Sequence, residues 1–351
     1  MTALILTVIA CLFLLGSNPL IGQAVVYGKV ENQLFNLDRS SNAYLPNAIK
    51  VYPDNLLNND DLVQVTLDEQ GYYRFNLPVR QPLPVMMEFN GKTLQLFISP
   101  GDMLLLNFDY SDIVQSAQAN GTGALSNDLL IAFQQRYSPE DTDNEARSKR
   151  QYTTRQDYFA FCEDRNILER EFVLNGLSKQ TYPPEFVNWI LAEVKYRKAN
   201  RLSAYYFTTE DPLMDDYHRF AASYNFNDTT AIVSNQYLLF LENHLRHLSK
   251  RDDISARSVR QVSGIPWVVR GYELVKLHFT GLYRQLLLTR MMMDIANEKY
   301  AETPAIYADF LQEPITDGLR NLAGARYATY TYPFDQRRCY QAQHPCRYVA
   351  T

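Results

Sequence analysis

The sequence is short of the features that usually announce a chemistry. It has no basic excess: 34 Lys and Arg stand against 39 Asp and Glu, a formal charge of -5 with the two signs mixed. Nucleic-acid binders concentrate cations to neutralise phosphates, so the composition argues against that class of partner. There is no Cys-x-x-Cys, the spacing that lowers a thiol pKa for disulfide exchange. There is no Gly-x-Ser-x-Gly, no His-Glu-x-x-His and no phosphate loop of the form Gly-x4-Gly-Lys. The N-terminal apolar run, Ala3 to Gly16, stops at fourteen residues. A membrane-spanning helix needs about 20.

That short run gives the chain an address. It has the length of the apolar core of a secretory signal, and "IGQA" places the small residues Gly22 and Ala24 ahead of a cut before Val25. Residues 1–24 are therefore read as a signal peptide and the protein as exported, to the periplasm or cell envelope. One departure is the lack of Lys or Arg before the run. "VIAC", ending at Cys11, has the look of a lipidation site, but apolar residues continue past it as "LFLLG". Membrane attachment is expected only if Cys11 carries lipid; the plainer reading is a small hydrophobe within the signal.

What is present is a globular composition of 46% apolar and 21% charged residues over 351 positions, long enough for two domains. From Val25 to about residue 115 the chain is a series of short apolar runs: "VVYGKV", "AIKVYP", "LVQVTLD", "YYRFNL", "PVMMEF", "LQLFIS" and "MLLLNFD". Their spacing predicts an antiparallel β-sandwich. Several alternate: Val63, Val65 and Leu67 share a face, as do Tyr73, Phe75 and Leu77, with Arg74 and Asn76 outside. In "FISPGDMLLLNFDY" Leu94, Leu96 and Ile98 precede, and Leu104, Leu106 and Phe108 follow, a type II turn at Pro100–Gly101. Asp102 in that turn is either a ligand-loop carboxylate or the polar tip of a tight connection, and the second reading is preferred.

After "NGTGALSND" the period lengthens to about 3.6, and residues 120–324 read as an all-helical domain. Ser126 is a cap for a helix burying Leu129, Leu130 and Phe133. "SPEDTDNEARSKRQ" is a solvated loop. Tyr158 to Leu174 is periodic. Pro183 and Pro184 open a helix with Phe186, Trp189, Ile190 and Val194 on one stripe. Ser234 caps another, carrying Tyr237, Leu241, Leu245 and Leu248. One long helix is expected from Gly271 to Asn297 and a last short one over Tyr307 to Leu311. Residues 325–351 are a tail with no assigned fold.

The candidate chemical groups are few. His244 and His247 stand three apart, a spacing that can hold a metal but lacks further ligands. His278 reads as a core-edge histidine. Met291, Met292 and Met293 read as core packing rather than an adaptable binding surface, since successive helix positions point apart. The same divergence disqualifies the acid pairs Asp60-Asp61, Asp215-Asp216 and Asp252-Asp253 as acid/base couples. "GTG" at Gly121 to Gly123 is too short for a cofactor loop, and no cofactor or metal site is assigned. Without its signal the chain keeps Cys162, Cys339 and Cys346. Cys162, among aromatics, reads as buried and inert. Cys339 and Cys346 are candidates for a structural disulfide or redox pair.

Taken in order, "LDEQGYYRFNL", "LFISPGDMLLLNFD", "NGTGALSNDLLIAF" and "AIVSNQYLLFLENHL" resemble the N-terminal portion of exported TlpA-like thiol-disulfide oxidoreductases, over about Val25 to Gly324. The resemblance implies a β-sandwich module followed by a helical region. It also implies a thioredoxin domain with Trp-Cys-x-x-Cys, which this sequence lacks; 27 residues follow Gly324, and a thioredoxin fold takes about 100. No catalytic residue carries over. The leading expectation is a non-catalytic envelope module that binds or scaffolds, with an envelope protein or a separate thioredoxin-fold protein as partner. Two other readings stand beside it: a truncated or frameshifted oxidoreductase, and a glycan- or peptide-binding sandwich protein.

Overall fold

The structure is a computed structural model that describes residues 22–32, 48–53, 62–137, 154–208, 218–257, 267–298 and 300–331. It is an α+β protein with two small sheets first and helices after them. Two compact units divide the chain: one lies within Asn18–Leu241, and the described residues of the other lie within Glu242–Thr351.

Each apolar run of the N-terminal region becomes a strand: β1 (Gly22–Glu31), β2 (Ala48–Pro53), β3 (Val63–Thr66), β4 (Tyr72–Val79), β5 (Leu83–Phe89), β6 (Lys92–Ile98) and β7 (Met103–Asp109). A short helix α1 (Ile113–Ser116) and an unanticipated strand β8 (Gln118–Gly121) complete the region. One sheet has the order β4-β1-β7-β8 and the other β3-β2-β5-β6. The antiparallel expectation needs one correction, because β1 pairs with β7 in parallel, Val26 beside Leu104 and Val30 beside Phe108. The physical reason is the path of the chain. It leaves β1, places β2, β3, β5 and β6 in the other sheet and β4 against one side of β1, and returns as β7 to the free side of β1 running the same way. Alternation decides what is buried: Tyr73, Phe75 and Leu77 point in while Arg74 and Asn76 are exposed. Both sheets contribute to one cluster that includes Val26, Val51, Phe75, Met87, Phe89, Leu96, Leu106 and Phe108. Burying each large apolar side chain contributes about 1.5–3 kcal/mol.

The helices of the first unit are α2 (Ala124–Arg136), α3 (Arg155–Leu177), α4 (Pro184–Thr208) and the start of α5 (Asn235–Arg257), with short 3-10 turns at His218–Ser223 and Thr229–Ala231. Ser126 does not cap α2. The helix starts two residues earlier, after Gly123, and Ser126 is buried in its first turn. Ser234 does cap α5, its hydroxyl accepting the Tyr237 N–H at 3.1 Å. Phe186, Trp189, Ile190 and Val194 of α4 are buried as a stripe. They join Leu129, Leu130 and Phe133 in a second cluster, and Phe97 of β6 belongs to it as well. Phe97 lies 5.3 Å from the Phe186 ring and 5.2 Å from that of Trp189. β6 is thus buried on both faces, Leu94, Leu96 and Ile98 on one and Phe97 on the other.

The second unit holds α6 (Trp267–His278), α7 (Gly281–Glu298), α8 (Thr303–Phe310) and α9 (Asp317–Thr331). The single helix expected over Gly271 to Asn297 is two helices. The chain breaks after His278, and Gly281 takes φ +62°, a conformation that closes a helix and opens the next at least cost in glycine. α9 is a further correction, since it extends past Gly324 into the segment left without a fold. Ala323 is buried in it, and Tyr327 stacks on Tyr307 of α8 at 3.8 Å. The loop "SPEDTDNEARSKRQ" lies outside the described residues.

Candidate functional site

The most chemically distinctive place in the sheet region is the end where two turns meet. β6 leaves through Ser99–Pro100–Gly101–Asp102, with Gly101 at φ +85° as the type II turn requires. β8 leaves through Gly121–Thr122–Gly123 into α2. Asp102 is buried between them. Its Oδ2 accepts the Ser99 N–H at 2.7 Å, and its own N–H donates to the Ser99 carbonyl at 3.1 Å. Its carbonyl accepts the Val25 N–H at 2.7 Å, tying the turn to β1. The carboxyl group presses on Gly123, where a Cβ would lie 2.7 Å from Oδ2. Thr122 Oγ1 accepts the Met103 N–H at 2.5 Å, which joins the second turn to β7. Burial pushes the Asp102 carboxyl above the usual aspartate range, partly offset by the Ser99 amide.

Beside this turn α2 does something the apolar pattern does not reveal. β6 is the edge of its sheet, so the backbone groups on its outer side have no strand to pair with. Asn127 supplies the pairing instead: its Oδ1 accepts the Phe97 N–H and its Nδ2 donates to the Phe97 carbonyl, both at 2.9 Å. Gln134 repeats the arrangement on Gln95, with Oε1 accepting and Nε2 donating at 2.8 Å. The helix runs antiparallel to the strand. The seven-residue separation on the helix, about 10 Å, exceeds the two-residue separation on the strand, about 7 Å. The longer glutamine side chain makes up the difference. Nδ2 of Asn127 also donates to the Gly123 carbonyl at 2.8 Å, which links the edge closure to the Asp102 turn.

Other charged groups, buried and half-buried, are equally committed. Glu169 of α3 and Arg201 of α4 form a buried bidentate pair at 2.6 and 3.1 Å, and the Arg201 carbonyl accepts the Tyr158 hydroxyl at 3.0 Å. In the second unit Asp309 accepts the Tyr272 hydroxyl at 2.8 Å and Lys276 Nζ at 2.8 Å, while Arg284 grips Glu313. Burial, reinforced by the Asp309 carboxylate, pushes the Tyr272 phenol up. The Asp309 bond, which outweighs burial, raises Lys276. The result is an ion-paired clip between α6, α7 and the chain around α8.

Searches of this sequence against protein-family models, curated proteins and solved structures found no match.

The candidate site residues drawn from sequence fare differently. Cys11, Cys339 and Cys346 lie outside the described residues, as do Asp60-Asp61 and Asp215-Asp216, and the side chains of Asp252-Asp253 are not described. Cys162 is buried and forms no disulfide with a described residue. His244 and His247 stack with ring centroids 6.4 Å apart, His247 buried. Among the described residues no group of three or more His, Cys, Asp or Glu is placed to hold a metal. His278 is exposed in the last turn of α6 rather than at a core edge, because the helix ends there. Met291, Met292 and Met293 are all buried. Asn127, Gln134, Glu169 and Arg201 were missed. Their one sequence signal is a polar residue sitting within or beside an apolar helical stripe.

Proposed function

We propose that this chain is an exported, non-catalytic module of the cell envelope, built like the N-terminal part of TlpA-like thiol-disulfide oxidoreductases and acting in binding or scaffolding. In this reading the two sheets stack face to face as a sandwich. The Phe89 ring of β5 meets the Phe108 ring of β7 edge-on at 5.4 Å, a contact between the sheets that supports the stacking. The order of two sheets followed by helices agrees with the build that the resemblance implies. The observation that carries the proposal is the use made of buried polar groups. Asn127, Glu169 and Arg201 are each held by bonds that join one element to another, and the Asp102 carboxyl is held by the Ser99 N–H within its own turn. A catalytic acid or base needs at least one such group aimed at a substrate. The partner in this reading is an envelope protein or a separate thioredoxin-fold protein.

An insulin-reduction assay on the full chain tests the proposal. The expected result is no turnover above the reductant background. Turnover that disappears in Cys339→Ser and Cys346→Ser variants would replace this reading with that of an oxidoreductase. Cell fractionation tests the address separately: recovery in the cytoplasm alone would remove the export part of the reading.

A further inference from the structure

Three Asn-Gly pairs occur in the sequence, at Asn90–Gly91, Asn120–Gly121 and Asn175–Gly176. This dipeptide is chemically unstable, because a glycine after asparagine sets no Cβ between its own backbone nitrogen and the side-chain amide. The nitrogen attacks Cγ, ammonia leaves, and a five-membered succinimide forms. Water then opens that ring at either carbonyl and gives aspartate or isoaspartate. One water is taken up and one ammonia released, with no oxidant or reductant. Ring closure turns the asparagine ψ away from both strand and helix values, so the reaction needs backbone that is free to move. The fold therefore decides which pair reacts.

Asn175 and Gly176 are in the last turn of α3, and a Cβ on Gly176 would lie 2.3 Å from Leu129 Cδ1. Asn120 and Gly121 are in β8, laddered to Leu105 and Leu104, and a Cβ on Gly121 would lie 2.3 Å from the Met103 carbonyl oxygen. Closing a ring at either place opens a helix turn or a ladder and moves packed backbone. Asn90 and Gly91 are the two-residue tip between β5 and β6, outside the ladder, whose last pair is Phe89 with Lys92. Both have positive φ, +50° and +74°, the type I′ form that an Asn-Gly tip prefers. Both are exposed within the described stretch 62–137, and no described atom lies within 4 Å of where a Gly91 Cβ would be. We propose that Asn90 is a site of spontaneous modification in the folded protein, converted through a succinimide with Gly91 to aspartate and isoaspartate, while Asn120 and Asn175 are protected. The aspartate product keeps the turn, since Asp-Gly suits the same form. Isoaspartate adds a methylene to the backbone between Phe89 and Lys92. That disturbs the register of a hairpin whose second strand buries Leu94 and Leu96 in one cluster and Phe97 in another.

Peptide mapping of the full chain, kept folded in mildly alkaline buffer and sampled over days, tests this. Hydroxide removes the Gly91 amide proton, so alkali speeds the attack. Trypsin releases the three asparagines on separate peptides, Gln81–Lys92, Thr93–Arg136 and Glu171–Lys179. The first is expected to gain about 1 Da and to separate by chromatography into two forms, at least about tenfold faster than either of the others. An Asn90→Asp chain supplies the aspartate form as a standard, and the second form is the isoaspartate. The same wild-type chain held in urea is the reference, where all three peptides should react at comparable rates. A Gln81–Lys92 peptide that stays unmodified in the folded chain over the time in which the urea-held chain reacts overturns the proposal. So does reaction of Asn120 or Asn175 in the folded chain as fast as that of Asn90.

Discussion

At Asp102 a carboxyl group is kept where water would otherwise solvate its charge, and the folded state resists ionising it. Its pKa is raised above the aspartate value of 3.8, so between that value and the raised one the native state holds more proton than the unfolded chain. Stability therefore falls as pH rises through this window and levels off above it. Asp102→Asn keeps an acceptor for the Ser99 N–H without the charge. Urea titrations between about pH 4 and 7 should show the variant more stable than wild type at the upper end, with the difference shrinking toward the lower. Equal stabilities throughout would mean that Asp102 ionises without penalty. The Glu169–Arg201 pair presents the opposite case. Its partners are buried against one another, and Glu169→Gln leaves the Arg201 guanidinium without its counter-charge. The expected loss is roughly 3–5 kcal/mol in chemical denaturation. A change below about 1 kcal/mol would show that water reaches the guanidinium.

Among the elements, α2 matters beyond its apolar face because it finishes the sheet edge. Asn127 and Gln134 take the place of a further strand on β6, so an edge that invites foreign strands is closed by side-chain amides. Asn127→Ala strands a buried N–H and a buried carbonyl of Phe97 together. It should cost about 1–3 kcal/mol and speed amide hydrogen exchange at Phe97. Exchange unchanged from wild type would mean that the edge is protected by other means. Glutamine and asparagine side chains look the same in a sequence whether they face water or a strand, which is why this contact was not legible. The turn at Gly281 illustrates a related limit. Periodicity continued through Phe279, and only the left-handed backbone at Gly281 divides α6 from α7. Glycine inside a helical pattern is ordinarily tolerated, so it did not mark the break.

For the molecule as a whole, the start of β1 bears on how the chain would be processed under the proposed export. A cut before Val25 fits the small residues of "IGQA", but Gly22, Gln23 and Ala24 pair with Val79, Pro78 and Leu77, and Ala24 is fully buried. Removing them would strip three positions from a ladder at the sheet's core. The mature N-terminus is therefore expected upstream of Gly22. Mass spectrometry of the N-terminal peptide from exported protein checks this, and a start at Val25 would show that β1 holds without its first three residues. A reading from residues alone does not separate the two starts. Small residues satisfy a cleavage pattern and a tightly paired strand equally well.

Sequence by itself determined the seven strands β1 to β7 and the buried stripes of α2, α4 and α5, though not β8, the break between α6 and α7, or α9. The alternation of Tyr73, Phe75 and Leu77 and the 3.6-residue stripe of Phe186, Trp189, Ile190 and Val194 are local, and burial follows from them directly. It also placed the Gly101 turn and the Ser234 cap, because each depends on one residue's own backbone or hydroxyl. Tertiary structure alone decided the parallel pairing of β1 with β7, the double burial of β6, the closure of its edge by Asn127 and Gln134, and the pairing of Glu169 with Arg201. Each of these joins residues about 30 or more positions apart. Such partners are chosen by which surfaces the packed elements bring together, and no periodicity within a single segment records that choice.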